Sequence, residues 1–136
     1  MYFIIWAAGR IQGKRGVITG MDDGGMTILL KDNGNDLYVK TDDIYYIESQ
    51  HNKLVFSMDG RKIINKGTIK DMLQNLSNNE QHQFCHIHRS YIVNLAHIKE
   101  RDENDLLMPD GQRIPVSRHR LKYFKEQYGK YLEGLL

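Results

Sequence analysis

The sequence contains a single cysteine, Cys85, among its 136 residues, which excludes an internal disulfide framework. One free thiol fits a reducing compartment. No apolar run approaches the roughly 20 residues that a membrane-spanning helix needs. The apolar stretch at residues 2–8 is far shorter, and no Lys or Arg precedes it as in a secretory signal. We therefore expect a cytoplasmic protein without a membrane partner.

Catalytic signatures are also missing from the sequence. It has no P-loop, nucleophile elbow or Cys-x-x-Cys pair, and the glycines of residues 13–20 lack the strand-then-helix context of a nucleotide-binding loop. Asp102, Glu103 and Asp105 resemble a solvated turn rather than an acid/base pair. We therefore expect no enzymatic activity, no cofactor and no small-molecule substrate.

The charge of the chain is informative in its distribution rather than in its total. A net charge of +2 is compatible with most classes of protein. Residues 111–125, however, contain five Lys or Arg and no Asp or Glu, and a second polar cluster at residues 88–90 interrupts the apolar stretch of residues 86–95. Two basic tips that leave the same edge of a sheet would suit contact with phosphates and base edges.

Short β-prone runs dominate the first half of the chain. They predict an antiparallel meander with strands at residues 27–30, 37–40, 44–48, 53–58 and 62–65. Asn33 and Gly34 supply the positive φ of a tight hairpin turn. Thr68 is the predicted N-cap of a helix that ends near residue 76. Its apolar stripe comprises Ile69, Met72, Leu73 and Leu76.

The second half adds further short strands at residues 96–101, 106–108 and 113–116. The pattern then changes to a helical period, with Ser117 as the predicted cap of a C-terminal helix. Residues 1–25 are interpreted as an N-terminal arm or extra strand, with one weak strand near residues 17–19. The main domain spans residues 26–136, and the predicted fold class is mainly β with small helices.

Three ordered motifs resemble those of one protein family. Residues 44–49 look like its early strand motif, Phe84 with residues 88–95 and Ile98 like its central signature, and residues 110–118 like its closing one. On these motifs the chain resembles the LytTR DNA-binding domain of bacterial transcription regulators. The resemblance implies elongated antiparallel sheets whose loops enter successive major grooves of DNA. It also implies paired direct-repeat sites, a dimer or two copies on DNA, and a two-component-like regulator.

Within this resemblance, Arg89 and Arg118 are the predicted base contacts, because a planar guanidinium can bond O6 and N7 of guanine together. The alternative is that each arginine pairs with a nearby carboxylate. His51 or Asn52 is the predicted third contact, although an exposed turn would have the same composition. The predicted phosphate contacts are Lys53, His119, Arg120 and Lys122.

The central signature contains further polar residues with open alternatives. His88 belongs to the predicted DNA-binding set, but a buried, neutral His88 could instead hold the loop by a hydrogen bond. Ser90 is expected to touch a phosphate or to cap a short helix. Asn94 is expected to bond local backbone, and Tyr91 to lie in the core. His86 stands where the family often has Arg or Lys, and an unperturbed histidine is mostly uncharged at neutral pH.

A zinc site and a different binding partner are the remaining alternatives. His86 and His88 at i, i+2 could point the same way on a strand, with Cys85, His82 and His97 nearby in the sequence. Structural zinc sites usually combine two close ligand pairs, so we expect no metal. The basic edge of a non-enzymatic β module could instead bind an acidic protein or ligand. An RNA reader is disfavoured because the stacking aromatics of an RRM are missing. We predict a sequence-specific, double-stranded-DNA-binding transcription regulator.

Overall fold

The computed structural model describes residues 3–6, 10–11, 18–19, 26–77 and 83–135. Within these ranges lie thirteen β-strands in three sheets, three short 3-10 turns and two α-helices. The predicted fold class, mainly β with small helices and a C-terminal helix, is confirmed. Most of the glycine-rich stretch of residues 9–25 and the polar residues 78–82, including His82, lie outside the described residues. No described helix has the length and apolar character needed to cross a membrane.

The first sheet contains five strands in the order β2-β3-β1-β4-β5. Its strands are β1 Phe3–Trp6, β2 Arg10–Ile11, β3 Ile18–Thr19, β4 Met26–Asp32 and β5 Asn35–Lys40. Asn33 and Gly34 join the last two strands with φ values of 52° and 83°. Both residues therefore take the left-handed conformation that a type I′ hairpin turn requires, as the Asn-Gly pair predicts.

Strand β1 lies before the predicted domain boundary at residue 26 and pairs with a strand that lies after it. It pairs antiparallel with β4 from Phe3↔Leu29 to Trp6↔Met26. The predicted boundary therefore falls between two hydrogen-bonded strands of the same sheet. Strands β1, β2 and β3 lie within residues 1–25, and β3 comprises Ile18–Thr19. Whether residues 26–136 form an independent domain stays a prediction.

The central sheet has the order β8-β7-β6-β10-β9. Its strands are β6 Ile44–Gln50, β7 Lys53–Met58, β8 Arg61–Lys66, β9 Phe84–His88 and β10 Tyr91–Asn94. All neighbours in this sheet pair antiparallel. Turns of two residues link β6 to β7, β7 to β8 and β9 to β10, and the first and the last of these turns lie at the same end of the sheet.

Helix α1, Ile69–Ser77, begins where the sequence places it. The hydroxyl Oγ1 of Thr68 accepts a hydrogen bond from the backbone N–H of Asp71 at 3.2 Å, which is the N-cap geometry. The apolar stripe of the helix packs against the first and central sheets in one core. That core is lined by Ile28, Leu30, Ile47, Phe56, Met72 and Ile92, among others.

The C-terminal part builds a second core on the other face of the central sheet. It contains β11 Glu100–Arg101, β12 Asp105–Leu107, β13 Arg113–Pro115 and helix α2 Leu121–Gly134. Phe124 of α2 is fully buried against Cys85, Ile87 and Val93 of the sheet. Burial raises the pKa of the Cys85 thiol to about 12, so this cysteine is an unreactive core residue.

Two local predictions in this half are wrong. Residues 96–101 do not form one strand, because Leu95–His97 is a 3-10 turn in which the side chain of Asn94 accepts from Ala96 N at 3.0 Å. Ser117 stands at the N-cap position of a second 3-10 turn, Arg118–Arg120, and its side chain makes no capping hydrogen bond. The backbone N–H of Ser117 instead donates to Ile87 O at 2.9 Å.

Candidate nucleic-acid interface

Two of the predicted contact turns leave the same end of the central sheet. The turn at His51 and Asn52 joins β6 to β7 at the pair Gln50↔Lys53. The turn at Arg89 and Ser90 joins β9 to β10 at the pair Tyr91↔His88. Because β6 and β10 are antiparallel neighbours, both turns lie at one end of the sheet. Adjacent strands are about 4.8 Å apart, so the centres of the two turns are roughly 10 Å apart.

Backbone hydrogen bonds fix these turns to each other and to the third basic segment. Ser49 N donates to Ser90 O at 2.8 Å, which joins β6 to the β9–β10 turn. The bond from Ser117 N to Ile87 O places the 3-10 turn Arg118–Arg120 beside the last residues of β9. Lys122 follows in the first turn of α2. The structure therefore brings the two turns and the segment Arg118–Arg120 to one end of the central sheet, and Lys122 follows that segment in the chain.

The side chains on this surface differ in their exposure. Arg89, Arg118 and His119 are exposed, as are His51, Asn52, Lys53 and Lys122. His88, Ser90 and Arg120 are half-buried. Within the described ranges, neither Arg89 nor Arg118 forms an ion pair with a carboxylate. Both guanidinium groups are therefore accessible to an external anion or base edge, while their role in DNA contact stays a prediction.

Arg113 behaves differently from the other basic residues of its segment. Its guanidinium lies 3.0 Å from a carboxylate oxygen of Asp102 and 3.4 Å from one of Asp105. Asp102 lies in the β11–β12 turn and Asp105 begins β12, with which β13 pairs. The charge excess inferred for residues 111–125 is therefore overestimated by one arginine, because the neutralising acids are close in space and outside that window.

The histidines have distinct environments. Nδ1 of His88 accepts a hydrogen bond from Ser90 N at 3.1 Å, and its ring meets Tyr91 edge-on at 5.6 Å between centroids. This bond favours the alternative in which His88 holds the turn. Burial and the nearby charge of Arg120 lower the pKa of His86 below its usual 6.5. Among the described residues, no group of three or more His, Cys, Asp and Glu could hold a metal ion.

Two residues of the central signature are structural, as expected. Asn94 is fully buried, and its side chain donates to Ile44 O at 2.9 Å while accepting from Ala96 N. Tyr91 is half-buried and packs against the second core. Tyr46, from the early motif, donates its hydroxyl to Oδ2 of Asp110 in the closing motif at 2.7 Å, and burial first and then Asp110 raise the pKa of Tyr46 to about 12.

The structure adds one basic residue that the sequence pattern does not single out. Lys66 is exposed at the end of β8 and is the cross-strand partner of Lys53. The opposite end of the central sheet is different in character, since an open cavity of about 380 Å³ lies there. That cavity is lined by Asp43, Tyr45, Met58, Asp59, Arg61 and His97.

Comparison with known proteins identifies the family. The model of the LytTr DNA-binding domain matches residues 34–129, which include all three motifs and every predicted contact residue. The chain belongs to the LytTR DNA-binding domain family. This is a family of DNA-binding domains of transcription regulators and not an enzyme family. The LytTR resemblance inferred from residues 44–49, 84–98 and 110–118 is confirmed.

Individual relatives agree with this assignment. The chain is 29% identical over 96 residues to the sensory transduction protein LytT of Enterococcus faecalis, covering 67% of this chain and 38% of LytT. It is 43% identical over 47 residues to the transcriptional regulatory protein BtsR of Escherichia coli, covering 31% of this chain and 20% of BtsR. The LytTR chain thus matches only a minor part of either relative.

A solved structure shares the fold. It is the LytTr DNA-binding domain of a Bacillus cereus protein described as a methyl-accepting/DNA response regulator. The TM-score is 0.64 at 25% identity, and the match covers 76% of this chain and 96% of that domain. Over the matched part, the chain therefore has the fold of a LytTR domain.

Proposed function

We propose that this LytTR domain binds double-stranded DNA sequence-specifically and serves a bacterial transcription regulator in the cytoplasm. The observation that supports this most directly is that backbone hydrogen bonds hold three polar turns together at one end of the central sheet. Arg89 and Arg118 are presented there without carboxylate partners among the described residues. Turns fixed by backbone bonds lose little conformational freedom on binding, which favours a specific complex.

In the proposed complex the turns enter the major groove, and the two arginines bond base edges. A guanidinium that bonds O6 and N7 of guanine together discriminates against other bases by about 1–3 kcal/mol. Lys53, His119, Arg120 and Lys122 contact phosphates and set the register of the domain on the duplex. His51, Asn52 and Ser90 complete the surface. Two copies bind a pair of direct repeats, and no catalytic step is involved.

The first experiment selects bound sites from random duplexes and then measures affinity for the selected site and for a shuffled one. Arg89→Ala and Arg118→Ala are each expected to cost about 1–3 kcal/mol on the selected site and much less on the shuffled site. Arg113→Ala is the matched control, because its charge is already paired with Asp102 and Asp105. Equal losses on both duplexes would show that the two arginines touch only phosphate.

Lys122 tests the phosphate contacts separately. Lys122→Ala is expected to weaken binding to both duplexes alike and to lower the salt slope, the change of log K with log salt concentration, by about one unit. A loss restricted to the selected duplex would overturn this assignment. Binding that depends on salt but shows no preferred sequence would instead favour the alternative, a basic surface that recruits an acidic protein or ligand.

A further inference from the structure

Lys53 and Lys66 face each other across strands β7 and β8. They are partners in the antiparallel ladder at the end of the sheet that carries the basic turns, and both are exposed. Directly opposite residues of an antiparallel pair have Cβ atoms about 4.5–5.5 Å apart and project from the same face. The two lysine side chains therefore start side by side at this end of the sheet, within reach of one anion.

The two lysines keep an excess of positive charge. Within the described part of the chain, neither lysine forms an ion pair. By register Glu48 is the diagonal neighbour of Lys53, and its carboxylate is also hydrogen-bonded to Tyr91. The single negative charge of Glu48 cannot neutralise two lysines. Like charges directly opposite each other in a sheet are destabilising. An anion bound between the two lysines would relieve that repulsion.

The position of the pair indicates which anion this is. Gly67 N donates to Asn52 O at 3.0 Å, so the end of β8 is fixed to the β6–β7 turn. The 3-10 turn Arg118–Arg120 lies beside β9, and β8 is the opposite edge of the same five-stranded sheet. The two edges are roughly 19 Å apart, from four strand spacings of about 4.8 Å.

We infer that Lys53 and Lys66 together form a seat for one backbone phosphate of bound duplex DNA. This inference rests on the proposed function, and it extends the DNA footprint across the full width of the central sheet. A lysine ammonium is a compact charge with three donors, which suits a phosphate approached from any direction. The seat fixes register and orientation and carries no sequence information.

The test compares variants that remove one charge or both. Lys53→Gln, Lys66→Gln and the double variant are measured for affinity to the selected duplex over a range of salt concentrations. Lys62→Gln is the matched control, because Lys62 is exposed on the same face of β8, roughly 13 Å from Lys66. The melting temperature of each free protein is recorded at low salt and at 1 M salt.

A shared phosphate predicts that the double variant loses about 0.9 of the salt slope, and that neither single variant loses more. It also predicts that Lys66→Gln raises the melting temperature at low salt. That gain disappears at 1 M salt, where the Debye length is about 3 Å. Lys62→Gln leaves both the slope and the melting temperature unchanged.

Three results would overturn the seat, and they differ in what they say about DNA binding. An unchanged slope in the double variant, with Arg89→Ala and Lys122→Ala still weakening binding, removes the seat and leaves the proposed function standing. A loss of about 1.8 in slope means two separate phosphate contacts. If the unmodified domain shows no salt-dependent binding to any duplex, the proposed function fails and the seat fails with it.

Discussion

Asn94→Ala is expected to destabilise the LytTR domain strongly, although it removes no predicted DNA contact. The side chain of Asn94 is fully buried at the end of β10 and donates to the carbonyl of Ile44 at 2.9 Å. A weaker bond of 3.5 Å reaches the carbonyl of Thr41, whose hydroxyl donates to Met26 O. The amide of Asn94 thus links β10 to β6 and, through Thr41, to β4 of the first sheet.

The magnitude follows from the groups that lose their partners. An unsatisfied buried polar group costs about 1–3 kcal/mol. The bond to the Ile44 carbonyl is buried, whereas the bond from Ala96 N is only partly buried, so that this N–H is rehydrated more easily. The two together give about 3 kcal/mol, a large share of the 5–15 kcal/mol that typically stabilises a domain.

Urea denaturation followed by circular dichroism measures this loss. The matched control is Asn104→Ala, because Asn104 is exposed and only its backbone carbonyl accepts a bond, from Val116 N. The control should stay within about 0.5 kcal/mol of the unmodified protein. The reasoning is refuted if Asn94→Ala costs no more stability than Asn104→Ala. It is also refuted if Asn94→Ala, under conditions where it is fully folded, binds the selected duplex more weakly than the unmodified protein.

Two further predictions concern pH and chain length. Because the pKa of His86 is lowered in the folded state, its contribution to stability is complete above the unfolded value of 6.5 and is lost as pH falls through the lowered value. The melting temperature should therefore decrease as the pH is lowered below 6.5, and it should decrease less for His86→Gln. An identical decrease in both proteins would contradict this. Removal of residues 1–25 should leave duplex affinity unchanged, since every predicted contact lies after Met26. It should also lower the melting temperature and promote aggregation, because β4 becomes an edge strand; a truncated domain that folds but no longer binds would refute this.

Local sequence patterns were sufficient wherever one short segment decides its own conformation. The Asn33-Gly34 turn follows from backbone preference alone, and the Thr68 cap follows from a hydroxyl placed three residues before an orphan N–H. The structural role of Asn94 was also foreseeable, since a polar residue at the end of an apolar run needs a nearby backbone partner. The 3-10 turn Leu95–His97 was missed because the bond from Ala96 N to that same side chain outweighs the β preference of its neighbours.

The register of the β7–β8 hairpin follows from its turn. Asp59 and Gly60 form a two-residue turn, and this alone pairs Met58 with Arg61. Each step away from the turn then adds one residue on either side, so that Lys53 must meet Lys66. The sequence therefore predicts that the like charges of Lys53 and Lys66 lie opposite each other.

Arg113 shows the opposite case, in which no local pattern is sufficient. Its partners Asp102 and Asp105 precede it by 11 and 8 residues and reach it only because β12 pairs with β13. Arg118 is five residues further on and escapes these acids because the chain leaves the small sheet after Pro115 and bonds to β9 through Ser117. The same fold that neutralises one arginine thus presents the other. For this reason Arg113→Ala, and not a lysine elsewhere on the surface, is the control against which the loss of sequence preference in Arg118→Ala has to be judged.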